Sequence, residues 1–272
     1  VTWTLLSSDA SGFSDSSSGF TYTLPGGAPA AGVLEVFCVA SDDTIASVGA
    51  GGGAAWTQLQ SYVNFEGAYL YYRITSGSEG TTIVLTSGGS GNASSIHFQR
   101  WSGQAASSPL DLSSSGGALN SSGETDTTPS LASGALAGAG ELLVAFAGFW
   151  QRNNSAGTPQ SPAWTGGTVT DDGAGPGYLH SAPNNDGLAT WGGYSTNAGP
   201  ATVSVQVSWT YTSGTSNGTD NAVFLAAFKP GLATSGPNSP SAGTDLGGGT
   251  GSWTSPGNIT ADDGSAATWA VV

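Results

Sequence analysis

Basic side chains are almost missing from this chain. Across 272 residues there are four, Arg73, Arg100, Arg152 and Lys229, against 18 carboxylates, for a formal net charge of −14. A nucleic-acid partner needs a basic footprint to displace counterions from phosphates, and none is present. An anionic membrane surface is disfavoured on the same ground. No apolar run approaches the ~20 residues of a membrane-crossing helix, so no membrane insertion is expected. The sequence opens at Val1 without the charged and apolar blocks of a targeting signal, and it holds no Met, which fits a mature or partial chain. Cys38 is the only cysteine. Alone it can form neither an internal disulfide nor a thiolate cluster, and within "VLEVFCVA" it reads as a small buried thiol. With 8% of residues charged, ion pairs are few, and buried aromatic and aliphatic surface is expected to hold the fold. A hydroxyl-rich, lysine-poor composition points to an extracellular or virion setting.

What is present is β-forming throughout. Gly, Ser and Thr punctuate short runs of Val, Ile, Leu, Phe, Tyr and Trp, and the glycines interrupt helical periodicity. Candidate strands are "TWTLL" (2–6), "FTYTL" (20–24), "VLEVFCVA" (33–40), "TQLQSYV" (57–63), "AYLYYRI" (68–74), "TTIVLT" (81–86) and "SIHFQRW" (95–101). A Ser- and Gly-rich passage follows from 102 to 128. Then come "ELLVAFAGFW" (141–150), "TVTD" (168–171), "GLATWGGYST" (187–196), "ATVSVQVSWT" (201–210) and "AVFLAAFK" (222–229). Such spacing predicts an all-β chain, an antiparallel β-sandwich or jelly roll.

The two halves echo each other. "VLEVFCVA" at 33 recurs as "ELLVAFAG" at 141, and "AAWTQL" at 54 as "PAWTGG" at 162, both displaced by 108 positions. "IHFQRWSG" recurs as "VFLAAFKPG", displaced by 127. An internal duplication is expected, with residues 1–104 as the first β-sandwich half and 105–230 as the second. Two small sandwiches or one larger interleaved sandwich both satisfy the pattern. Residues 231–252, rich in Gly, Ser and Pro, read as a linker. Residues 253–272 read as the start of a further β-module or an assembly strand.

Few residues offer chemistry. His97 and His180 lie in different halves, and a structural or surface role is expected for each. No nucleophile elbow, phosphate-cradling loop or HExxH motif occurs, and no enzymatic activity is expected. Asp42–Asp43, Asp171–Asp172 and Asp262–Asp263 are paired carboxylates. Beside a glycine, as at Asp171 and Asp172, such a pair can hold Ca²⁺ through hard oxygen ligands. Asp-Asp-Gly is equally ordinary turn chemistry. No other cofactor is indicated. Trp150, Tyr178, Trp191 and Tyr194 fall in or near the long loops of the second half, where aromatic faces beside Asn, Asp and Gln could hold sugars. Trp56, Trp101 and Trp209 sit in alternating strands and read as core. Five Asn-x-Ser/Thr sequons, at Asn92, Asn120, Asn153, Asn217 and Asn258, would matter in a eukaryotic secretory protein.

In "GAYLYYRITSGSEGTTIVLT" (67–86), alternation puts Tyr69, Tyr71 and Arg73 on one strand face. "TSGSEG" reads as a hairpin turn, and Glu79 is expected to lie across it from Arg73 as a structural cross-strand pair.

These features together resemble a recurrent β-sandwich module of tailed-phage virion proteins and some bacterial secreted proteins. The resemblance is carried by Trp56, Tyr72 with Arg73, Ser78 with Glu79, Thr81 to Thr86, Trp101 to Gly103 and Pro109 to Asp111. It covers residues from about 30 to 230, and Gly80 stands where that module usually has Pro. Separately, "WTSPGNITADDGSAAT" is similar to the opening of jelly-roll modules in phage fibre and tail proteins. The resemblance implies a virion structural protein: a capsid decoration, head fibre or tail fibre subunit on the virion surface. Its partners would be copies of itself, capsid or tail proteins, and host surface glycans. The alternative is a secreted or cell-surface carbohydrate-binding module or extracellular fibre subunit.

Overall fold

The computed structural model describes residues 2–14, 19–42, 44–49, 51–63, 67–88, 93–120, 125–128, 130–151, 159–166, 169–181, 186–199, 201–211 and 219–231. The expected linker and C-terminal β-segment, with Asp262 and Asp263, therefore lie outside the described residues apart from Gly231. So do Asp43 and the sequon asparagines Asn92, Asn153, Asn217 and Asn258.

Every regular element among the described residues is a β-strand, and every strand pairing is antiparallel. The first half contains β1 (Thr4–Ser14), β2 (Gly19–Thr23), β3 (Leu34–Ser41), β4 (Ile45–Gly49), β5 (Thr57–Val63), β6 (Gly67–Ile74), β7 (Thr82–Ser87) and β8 (Ala93–Ser102). The second contains β9 (Leu110–Asn120), β10 (Thr125–Thr127), β11 (Leu131–Ala132), β12 (Glu141–Gln151) and β13 (Pro159–Thr165). It continues with β14 (Thr170–Asp171), β15 (Gly177–Ser181), β16 (Asp186–Ala198), β17 (Ser204–Tyr211) and β18 (Thr219–Phe228).

The halves repeat one topology. In the first, a large sheet runs β1-β8-β3-β6-β5 and a small one runs β2-β7-β4. In the second, the large sheet runs β9-β18-β12-β16, with β14 and β15 both on the far edge of β16, and the small sheet gathers β10, β11 and β13 around β17. Thus β3 and β12 are matching central strands, and the flanking pair β8 and β6 matches β18 and β16. Residues 1–233 form one compact unit.

Burial explains the two runs that first betrayed the repeat. Each large sheet is covered on both faces, so its central strand reads as continuous apolar sequence rather than an alternation. One face of the first large sheet packs on the small sheet through Phe37, Val39, Tyr69, Tyr71, Ile96 and Phe98 against Tyr22, Ile83 and Leu85. The other face meets the second large sheet directly. There Leu34, Val36, Cys38, Leu70 and Trp101 pack on Leu142, Val144, Phe146, Phe224 and Phe228. The second large sheet covers its own small sheet through Leu143, Ala145, Val223 and Leu225 with Val205, and through Phe149 and Trp191 with Val207 and Trp209. The result is four β-layers with three apolar seams.

Two expectations are corrected. "TSGSEG" does not close a hairpin: β6 lies in the large sheet and β7 in the small one, so the segment crosses between layers. The Ser- and Gly-rich passage contains an 11-residue strand, β9, paired along its length with β18.

Candidate functional site

The first cluster is an ion triad. Glu35 on β3 stands opposite Arg73 on β6 and Arg100 on β8, so the three side chains form one row on the face toward the small sheet. Glu35 is fully buried, and each of its oxygens takes one guanidinium. Arg73 Nε and Nη2 lie 2.7 Å from Oε2, and Arg100 Nε and Nη2 lie 2.8 and 2.7 Å from Oε1. The row carries one excess positive charge. It is met by carbonyls, with Arg100 donating to Pro25 and Gly27 and Arg73 to Ala54, and by the Trp56 ring 4.1 Å beneath Arg73. These contacts tie two loops, 24–33 and 51–56, to the end of the sheet.

Arg73 is therefore held by Glu35 rather than in the expected pair with Glu79. Glu79 instead folds its carboxylate onto backbone amides. Oε1 accepts from Ala54 N at 2.9 Å and Ser76 N at 2.6 Å, and Oε2 from Gly77 N at 2.8 Å. Burial raises the carboxyl's pKa, but the hydrogen bonds from Ala54, Ser76 and its own amide outweigh burial and hold it at about 2. Gly53, at φ +70°, leaves room for this carboxylate; a Cβ there would lie 2.6 Å from Oε1.

The acidic pair at 171–172 splits in two. Asp171 is exposed and its Oδ1 accepts from Gly173 N at 2.7 Å, an ordinary Asx turn. The Asp172 side chain is buried between the halves, where Oδ2 lies 2.7 Å from both His97 Nε2 and Gln99 Nε2. Gln99 also accepts from Trp101 Nε1, and beside it Ser95 meets Thr190 at 2.8 Å. The two carboxylates therefore serve different partners. Among the described residues no group of three or more His, Cys, Asp or Glu is placed to hold a metal ion. Asp42, from the first acidic pair, accepts from Ala93 N.

A further acidic cluster joins the first and last strands of the second half. Glu141, 1% exposed, accepts from Gly138 N at 2.8 Å, and the Asp111 carboxyl lies within hydrogen-bonding reach of it. Asp111 Oδ2 accepts from Ala137 N, and Lys229 Nζ stands 3.6 Å from Oδ1. Burial and the neighbouring Asp111 raise the Glu141 pKa against the lowering effects of the Gly138 amide and Lys229.

Among the described side chains, the candidate sugar-binding aromatics Trp150, Trp191 and Tyr194 lie in three different apolar clusters. Trp191, 1% exposed, forms a mutual three-ring cluster with Phe149 and Trp209 in the second sandwich, at centroid distances of 5.0 and 5.5 Å. Tyr194 packs edge-on against Trp101 at 4.8 Å in the seam between halves. Trp191 has no open ring face, whereas Tyr194 is partly buried in the seam. Tyr178 lies on β15, and its side chain is outside the described residues, as is that of His180. Trp150 is buried too, but it lines a cleft at one end of the seam with Tyr62, Gly67, Ala68, Gly148 and Asn221. That cleft measures about 250 Å³ with open solvent included. Ligand pockets are usually ~300–1,000 Å³, so this one suits water better than a sugar ring. Trp101 and Trp209 are core, as expected, and Trp56 is partly buried beneath Arg73.

The chain matches no family model, no curated protein and no solved structure.

Sequence reasoning passed over Glu35 and Glu141. The signal for Glu35 was available: a carboxylate inside "VLEVFCVA" requires cationic partners, and the chain has only four basic residues to offer. Pairing His97 with Asp172 had no comparable signal, since 75 residues and a sheet-to-sheet seam separate them.

Proposed function

We propose that this chain is a non-enzymatic structural subunit of a virion surface: a capsid decoration, head fibre or tail fibre protein that presents stacked β-sandwiches. It would assemble with copies of itself and with capsid or tail proteins through strand pairing and packing at subunit contacts. The observation that carries this reading is the use made of the polar side chains. Glu35, Arg73, Arg100, Glu79, His97 and Asp172 all fasten strands, loops or halves to one another. Such cross-fastening would suit a body that displays its loops on a particle. The likeness of the Trp56-to-Asp111 segment to tailed-phage modules points the same way.

The test compares the full chain with a version ending at Ala233, by light scattering and electron microscopy, and probes intact particles with antibody against the folded chain. Surface labelling, and an oligomer that needs residues beyond 233, are expected. A monomeric full chain that binds a defined glycan and labels no particle would refute the proposal.

A further inference from the structure

We propose that Lys229 and Asp111 become joined by an intramolecular amide bond, with Glu141 as the proton-transfer group of the condensation. Lys229 is the only lysine in 272 residues. The other basic side chains are arginines, whose guanidinium stays protonated and cannot act as a nucleophile. This one amine stands 3.6 Å from a carboxyl oxygen of Asp111. The Lys229 main chain and the Asp111 carboxyl are anchored, while the Lys229 side chain, 41% exposed, reaches over from its strand end. Lys229 N donates to Pro109 O at 2.7 Å, Ala105 N donates to Lys229 O at 2.9 Å, and Ala137 N donates to Asp111 Oδ2 at 2.9 Å. Holding the two strand ends in this register keeps the amine beside the carboxyl, and intramolecular pairs that reach a near-attack geometry gain effective concentrations of order 10⁵ M or more. An amide that would not form between free molecules in water can then form once and persist.

Glu141 completes the arrangement. Its Oε2 is buried without a hydrogen-bond partner while Asp111 lies within reach, so a proton on Glu141 has Asp111 as its acceptor. Burial and the neighbouring Asp111 raise the Glu141 pKa, the direction that suits a proton-transfer group. In the reaction, one ammonium proton passes to the Asp111 carboxyl, leaving a neutral amine and a neutral acid. The Nζ lone pair adds to Asp111 Cγ, and Glu141 protonates the oxygen that gains negative charge. Glu141 then recovers a proton from the nitrogen, the C–O bond breaks, and one water leaves. No oxidant or reductant is consumed, and Glu141 ends as it began.

The bond would tie β9, the first strand of the second half, to the residue that follows β18, its last. The test is the intact mass of the full chain in denaturing solvent, with a peptic digest to locate any change. The expected wild-type mass is lower by one water, with the Lys229 and Asp111 peptides linked. Lys229→Arg is expected at full mass, as is Glu141→Ala. Asp111→Asn is expected to cross-link with loss of ammonia instead of water. Full mass in the folded wild-type protein after prolonged incubation would overturn the proposal. So would a water loss that maps to an imide at Asp172–Gly173 or another Asp–Gly step.

Discussion

Replacing Glu35 by Gln should be among the most damaging single changes available in this fold. The substitution keeps the side chain's shape and removes its charge, leaving Arg73 and Arg100, 2% and 5% exposed, facing an amide. Removing one partner of a buried ion pair costs about 3–5 kcal/mol. Two guanidiniums lose a partner here, yet both keep carbonyl acceptors and Arg73 keeps the Trp56 face. The expected loss is therefore about 4 kcal/mol rather than twice that. Domains of this kind have only about 5–15 kcal/mol in hand. The second half supplies an internal comparison. Leu143 occupies the position of Glu35, and its register partners are Ser195 and Ala227 where the first half has Arg73 and Arg100. The same strand row is thus built once with ions and once without. A combined Glu35→Leu, Arg73→Met, Arg100→Met chain should accordingly recover more than half of the loss seen in Glu35→Gln. Urea unfolding followed by tryptophan fluorescence is the assay, since guanidinium would itself compete with the arginines. A Glu35→Gln chain within about 1 kcal/mol of wild type, the range of exposed pairs, would refute the reasoning. So would a triple variant less stable than the single one.

Other outcomes follow from the remaining clusters. Glu79 is held at about 2 against an ordinary 4.5, so its contribution is complete above pH 4.5 and disappears as pH falls toward 2. Its full size is at most about 3 kcal/mol; Glu79→Gln should remove it and flatten that part of the stability–pH curve measured by thermal unfolding. Trp191→Ala should cost about 3–5 kcal/mol while leaving any glycan-array signal unchanged; a stable variant with a lost sugar signal would restore the binding reading. Cys38 is fully buried, and burial raises its thiol pKa well above the ordinary range. It should resist thiol reagents in the native chain and react as the seam opens, which mass-tagging under increasing urea would follow; prompt native labelling would contradict the packing.

The strands were legible where burial is two-sided or alternation is clean. "VLEVFCVA" and "ELLVAFAG" announce β3 and β12, because an unbroken apolar run of that length suits a strand covered on both faces. The strand β9, "LDLSSSGGALN", was not legible, since its Ser and Gly content argues against β-structure. It forms because β18 offers a complete backbone ladder and because small residues fit close to Tyr62, whose ring would lie 2.4 Å from a Cβ at Gly117. Arg73 lies in a buried ion triad, but its partner was missed. Proximity in sequence favoured Glu79, whereas sheet register delivered Glu35 from 38 residues away. Trp191 misled for a related reason. It was placed in or near the long loops of the second half, yet its neighbours Gly192 and Gly193 are the thin places where His97 and Trp164 approach a buried strand.

The seam between the large sheets has a consequence for how such a body can diversify. Were the two halves separate, identical subunits, any replacement at their contact would appear twice, and each would have to suit its own image. Carried on one chain, the halves escape that rule. His97 on β8 and Phe224 on β18 stand opposite the matching positions Cys38 and Phe146, yet one holds a carboxylate and the other fills an apolar layer. A linked pair can therefore seal one flank with polar bonds and the other with hydrocarbon, so the two faces cannot be exchanged for one another. Outward-facing positions inherit the same freedom, and each half can acquire a different neighbour without disturbing its twin.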